Sequence, residues 1–401
     1  MEPLDYLEQF LHRVSGACAT VDAPRCLRVH SGLSDCDLCV KSCPVESISL
    51  AGQVHVLDHC TGCGTCLTVC PVSAFDLKGA GTGELLSQAA SRLREQAVLF
   101  VSCERSPAAR SADLVVPCLA RVDEALVLGA LALGAQTLRL TRGPCRACPY
   151  PEAMPRYRRV LDRVRTWGRV LPGISQRLVE VGEEAALEET IEPSHATGPG
   201  RRAFFRWVRT EGMHLMASFL DEVSQGLHGR KSGKGAAVPL RHRLLPQFLR
   251  RLGVTQGEIP YDPEGPYAEL LLDEVKCNAC EACILVCPTG AIERREGDEA
   301  FCLTLDAGRC VNCGLCLDAC LPHALTYRQG ISLAKVVGGE RQILAEKPYS
   351  RCRRCEARFL WSGEEKPRDL CSTCQFLAEL EGTPAEPSHG TPPDLRGGGE
   401  A

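Results

Sequence analysis

The chain has 401 residues, enough for about two to four domains, and its 44% hydrophobic and 24% charged residues place it among globular proteins. A formal net charge of −4 gives no sign of an electrostatic nucleic-acid binder. The outlier is 26 cysteines, in a chain whose start, "MEPLDYLEQF", lacks a signal-peptide layout and whose longest mostly apolar run, Ala125–Leu138, is too short to cross a bilayer; this reads as a cytoplasmic protein whose thiols serve metals.

The first cysteine group runs from Cys18 to Cys70. "CTGCGTCLTVCP" sets Cys60, Cys63, Cys66 and Cys70 at the spacing C-x2-C-x2-C-x3-C, followed by Pro71. "LSDCDLCVKSCP" repeats the register with Cys36, Cys39 and Cys43, but Leu33 stands where the first cysteine belongs. The pattern resembles the bacterial two-cluster [4Fe–4S] ferredoxins. Three thiolates two residues apart wrap one cubane, and the fourth points across to its neighbour. The resemblance implies Cys60, Cys63, Cys66 and Cys43 for one cluster. The other takes Cys36, Cys39 and Cys70, with Cys26, ten residues before Cys36, returning to the vacant corner. The alternative there is a [3Fe–4S] cluster with Cys26 free. Cys18 needs no ligand role. Residues 1–80 form this first module.

Residues 81–185 change character. A helical pattern over Glu84–Gln96 places Leu85, Leu86, Ala89, Ala90 and Leu93 on one face. Then come "AVLFVSC", "ADLVVPC", the helix-like "VDEALVLGALALGA" and "TLRLTRGPCRACP". Strands alternating with helices predict a parallel sheet, whose carboxyl ends share one edge. That edge receives Cys103, Cys118, Cys145 and Cys148, a set able to hold a [2Fe–2S] cluster or a tetrahedral zinc. Spacing alone barely separates the two. "VPCLARVDEALVLGALALGA" followed by "GPCRACPY" resembles the small iron–sulfur delta subunit of methyl-viologen-reducing hydrogenase, which links that hydrogenase to heterodisulfide reductase. The resemblance implies a [2Fe–2S] centre and a flavin-bearing partner. This sequence departs from that family in having Cys103 alone where an early cysteine pair is usual.

Residues 186–265 read as linker and helical connector, with a helix over 202–223. There Arg201, Arg202, Arg206 and Arg209 beside Phe204, Phe205 and Trp207 make a basic amphipathic face suited to a partner or, peripherally, a membrane surface. Residues 266–335 repeat the first module without defect. Cys277, Cys280 and Cys283 pair with Cys320, and Cys310, Cys313 and Cys316 with Cys287, by the same resemblance. Leu321 intervenes before Pro322, so a different turn is expected there; Cys302 is a bland buried thiol. Residues 345–380 carry Cys352, Cys355, Cys371 and Cys374 as C-x2-C-x15-C-x2-C, the pattern of a zinc ribbon, with a rubredoxin-like iron as the alternative. The Pro- and Gly-rich tail, 381–401, reads as disordered.

The fold class expected is a multidomain α+β and α/β chain: two ferredoxin-like dicluster modules, a small parallel-sheet domain, a connector and a zinc ribbon. "GAGTGE" at Gly79 lacks a dinucleotide fingerprint, and no phosphate-binding loop occurs. His30, His55, His59 and His323 lie near the cysteines, where they can tune potential. A chain of one-electron carriers without a substrate site needs enzymes at both ends. The reading is an electron-transfer subunit between a hydrogenase or dehydrogenase and a flavoprotein or heterodisulfide-reductase-like partner. A maturation scaffold is the runner-up, and catalysis at Cys103–Cys148 a third reading.

Overall fold

In the computed structural model, which describes residues 18–148, 153–181, 238–295, 300–360 and 369–382, the first module is built from short pieces. Two antiparallel clips, Thr20–Val21 with Phe75–Asp76 and Ile48–Ser49 with His55–Val56, frame two one-turn helices, α1 (Leu38–Lys41) and α2 (Thr65–Val69). So little regular structure leaves the metal sites to organise the module.

Next, α3 (Thr82–Arg92) leads into a four-stranded sheet. Its strands are β1 (Val98–Cys103), β2 (Leu114–Val116), β3 (Thr137–Thr141) and β4 (Leu178–Val181), in the order β2-β1-β3-β4 and all parallel. Between them run α4 (Glu124–Ala132) and α5 (Met154–Thr166). Every residue of α4 is buried, as its apolar run from Ala125 to Ala132 requires, and buried Glu124 at its start is paired with Arg163. Gly129 makes the packing possible: a Cβ there would lie 2.4 Å from Leu86 Cδ2 and 2.9 Å from Phe248 Cε2.

Phe248 belongs to α6 (Leu240–Arg251), inside the segment read as connector. Its Leu244, Leu245, Phe248 and Leu249 enter the core of the sheet domain. The rest of the expected connector, including the 202–223 helix, its basic face and residues 186–237 altogether, lies outside the described residues. So does the tail beyond 382.

The second module pairs β5 (Leu270–Leu272) with β8 (Leu325–Tyr327) and carries α7 (Ala282–Leu285) and α8 (Leu315–Asp318). Beside it an antiparallel sheet runs β6-β7-β9-β10, from β6 (Ile292–Arg295), β7 (Ala300–Leu305), β9 (Gln342–Arg351) and β10 (Arg358–Leu360). Cys302 is buried on β7. The described residues thus form a mixed α/β structure that includes a parallel four-stranded sheet.

The units pack on one another. Val311 and Leu315 of the second module share an apolar cluster with Leu27, Leu67, Val69 and Phe75 of the first. Ile331, Leu333, Val336 and Val337 join the core under the parallel sheet. Buried Arg163 binds Glu124 on one side and Asp262 at 2.6 Å on the other, tying α5 to α4 and to the segment before the second module. No helix of the described residues is long and apolar enough to cross a membrane.

Candidate metal centres

Backbone geometry around the cysteines repeats. In each complete C-x2-C-x2-C motif the second and fourth positions after the first cysteine take left-handed φ: Gly62 (66°) and Gly64 (81°), Ala279 (55°) and Glu281 (62°), Asn312 (53°) and Gly314 (79°). This conformation costs any non-glycine residue about 1 kcal/mol, so its recurrence marks a wrap that the sulfur positions demand. In the defective motif neither Asp35 nor Asp37 is left-handed, and Asp37 has φ −134°. Without a cysteine at position 33 the chain has nothing to wrap.

The fourth cysteines share a second device. Three residues after each comes another left-handed residue: Glu46 (52°), Ser73 (48°), Gly290 (60°) and His323 (50°). The bend turns the next amide onto the sulfur: Ser47 N to Cys43 Sγ at 3.2 Å, Ala74 N to Cys70 Sγ at 3.3 Å, Ala291 N to Cys287 Sγ at 3.2 Å and Ala324 N to Cys320 Sγ at 3.2 Å. Leu321 therefore does not change the turn, contrary to expectation. It is 88% exposed, so it has no packing role to perturb.

The sulfurs gather in sets. Cys39 feels the charges of Cys70, Cys36 and Cys26, and Cys36 feels that of Cys26. Cys43, Cys60, Cys63 and Cys66 line one small cavity. Cys287, Cys310, Cys313 and Cys316 line another, with Asn312 and Tyr327. Cys283 feels Cys277, Cys280 and Cys320. Burial, and then neighbouring thiolates, push Cys39, Cys283 and Cys313 up to about 12. Arg28 beside Cys36 and Arg241 beside Cys70 offset only part of that rise, so metal loading would have to displace the protons.

The parallel sheet delivers its own set. Cys103 ends β1, Cys118 follows β2, and Cys145 and Cys148 follow β3. All four line a small cavity with Arg105, Arg142, Gly143 and Met154. Gly143 brings the loop after β3 against the loop after β1: its N–H donates to Cys103 Sγ at 3.1 Å, and a Cβ there would sit 2.6 Å from Arg105 O. Burial first, opposed by backbone hydrogen bonding from Ala120, pushes Cys118 up to about 12.

The C-terminal set is tighter. The sulfurs of Cys352, Cys355, Cys371 and Cys374 all lie within 4.8 Å of one another, with Cys355 and Cys371 3.7 Å apart. Tetrahedral zinc, with bonds of about 2.3 Å, separates its sulfurs by about 3.8 Å. Among the described residues no other group of three or more potential ligands is as compact.

Sequence reading missed the amides aimed at sulfur and Gly143, for which a glycine in "TRGPC" was no signal. It also missed buried Arg241, which donates to Thr68 O at 2.8 Å and Cys70 O at 2.9 Å. The histidines singled out are exposed; His59 Nε2 lies 3.1 Å from Val45 O, and His323 contributes its backbone. The Cys18 thiol donates to Cys60 O at 3.4 Å.

Residues 276–325 match the 4Fe-4S dicluster domain. Residues 33–79 match the LdpA Fe-S cluster-binding domain. A stretch of 56 residues is 38% identical to the pyruvate synthase subunit PorD of Methanocaldococcus jannaschii, covering 14% of this chain and 62% of that protein, less than two thirds of its length. The chain is an iron–sulfur protein with [4Fe–4S] clusters in ferredoxin-like segments. The matched segments leave the parallel-sheet domain and the C-terminal cysteines uncovered.

Proposed function

We propose that the chain is an electron relay, a subunit joining a hydrogenase or dehydrogenase to a flavin-bearing or heterodisulfide-reductase-like partner. The observation that carries this is the packing of five cysteine sets into one body, with ferredoxin-type wraps recurring in both modules. In this reading four [4Fe–4S] clusters are held by Cys26, Cys36, Cys39 and Cys70; by Cys43, Cys60, Cys63 and Cys66; by Cys277, Cys280, Cys283 and Cys320; and by Cys287, Cys310, Cys313 and Cys316. The closeness of Cys26 to Cys36 and Cys39 favours four ligands over a [3Fe–4S] cluster at the first site.

For Cys103, Cys118, Cys145 and Cys148 a [2Fe–2S] cluster is favoured over zinc, because among the described residues only the C-terminal quartet gathers its sulfurs within 4.8 Å of one another. The compact C-terminal quartet suits zinc. Bound clusters would supply one-electron redox chemistry; the residues around them hold the sulfurs, donate amide hydrogen bonds that favour the reduced state, and limit water.

A subunit role has support in the relative, itself named as a subunit of pyruvate synthase. The test is anaerobic purification of the native protein with its partners, followed by mass spectrometry and a flavin and metal count. A stable complex with a flavoprotein, hydrogenase or dehydrogenase is expected. Recovery alone, or with apo-proteins to which clusters pass readily, would overturn the relay in favour of a carrier or an assembly scaffold.

A further inference from the structure

Cys63 belongs to two places at once. By sequence it sits in the first module, yet its buried side chain packs in the core of the parallel-sheet domain with Cys103 and Cys118, whereas Cys66, three residues on, packs in the module's own core. The seam beneath it is dry. Thr65 and Thr68 are 1% exposed, and Ala120 and Arg121 are fully buried.

Specific contacts lock the seam. Thr68 Oγ1 donates to Ala120 O at 3.1 Å, two residues past Cys118. Gly64 lies so close over Arg121 that a Cβ would come within 2.8 Å of Arg121 Cδ. Arg121 is itself fixed, its Nε donating to Ala80 O at 2.6 Å and its guanidinium to Thr82 Oγ1 at 2.8 Å and Asp123 Oδ2 at 3.3 Å.

We propose that the Cys43–Cys60–Cys63–Cys66 set and the Cys103–Cys118–Cys145–Cys148 set are consecutive electron stations that exchange one electron directly across the Cys63–Cys118 wall. This rests on the relay reading and adds to it the immediate neighbour of the sheet-edge site. The step moves one electron, with no bond or proton transferred. Iron–sulfur clusters held by the two sets would supply the one-electron chemistry, one giving up a single electron as the other gains it, with the first electron coming from an external low-potential one-electron reductant. Tunnelling falls exponentially with distance, so sharing a wall makes this the fast route into or out of the sheet domain. The seam residues act by position: they hold two sulfurs together and exclude water between them.

The experiment uses the full chain, purified without oxygen, titrated with dithionite and followed by low-temperature EPR. When both sets are paramagnetic, their signals should be split or broadened by spin–spin coupling. In a Cys145→Ser, Cys148→Ser double variant, which removes two half-buried ligands of the sheet-edge set, the splitting should vanish while the second module's signals stay unchanged. Should that variant fail to fold, power saturation on the unaltered chain still decides. The two-iron signal should relax several-fold faster once the neighbouring cubane is reduced. Centres that reduce reversibly but behave as isolated spins would overturn the junction and leave the relay standing. Zinc in the sheet-edge set would overturn the junction alone; clusters that no reductant reaches would overturn both.

Discussion

Replacing Gly143 by alanine perturbs the sheet-edge site without touching a sulfur. The added Cβ would lie 2.6 Å from Arg105 O, 2.7 Å from Arg105 C and 2.9 Å from Ser106 N. These are backbone atoms and cannot swing aside. Normal contact near 3.5 Å requires the two loops to part by about 0.9 Å. That motion stretches the 3.1 Å bond from Gly143 N to Cys103 Sγ beyond useful length. Overpacking of this kind costs about 1–3 kcal/mol. Taking about 2 kcal/mol, the thermal midpoint of the domain should fall by roughly 8–16 °C. The lost amide bond favours the reduced, more negative state, so its removal should also lower the reduction potential of the centre held there. Anaerobic thermal scans and a visible-absorbance redox titration measure both effects. Gly32→Ala is the control, because nothing lies within 4 Å of its Cβ. If Gly143→Ala matches that control in midpoint and potential, the close approach of the two loops is not what shapes the site.

Cys26→Ser should lose iron and change the EPR spectrum of the first module; full iron with an unchanged spectrum would remove Cys26 from the ligand set. Cys355→Ser should release zinc, read with a chromogenic chelator, and leave the iron count unaltered, since the C-terminal quartet shares no residue with the others. His242 is fully buried, its Nε2–H donating to Pro266 O at 2.6 Å, and burial, with the Arg241 charge beside it, lowers it to about 3. The unfolded chain protonates this histidine near its ordinary value of 6.5, so the unfolded state binds the extra proton and stability is lost as pH falls from there towards 3. The slope from this group approaches about 1.4 kcal/mol per pH unit. His242→Gln should flatten that acid limb in denaturant titrations; an unchanged limb would exonerate the residue.

How much of this was legible beforehand depends on range. The cysteine register announced both ferredoxin-like modules because cubane ligation is local, with three ligands inside seven residues. The sheet edge was legible because each of β1, β2 and β3 runs into a cysteine within four residues of its end. Leu244, Leu245, Phe248 and Leu249 were not read as core, because "LRHRLLPQFLRR" interleaves them with cations whose exposure only packing decides. Arg241, in the same stretch, turns inward to hold the carbonyls of Thr68 and Cys70, a partnership across more than 170 residues that no local pattern encodes. Gly143 looked like any turn glycine until the opposing backbone of Arg105 was in view.

The most direct test of the relay is an anaerobic reductive titration of the full chain with parallel iron and zinc analysis. The account predicts about 18 iron atoms and about one zinc per chain, with close to five electrons taken up and returned reversibly, one per centre. Full iron content with clusters that accept no electrons from dithionite and bleach irreversibly would contradict it.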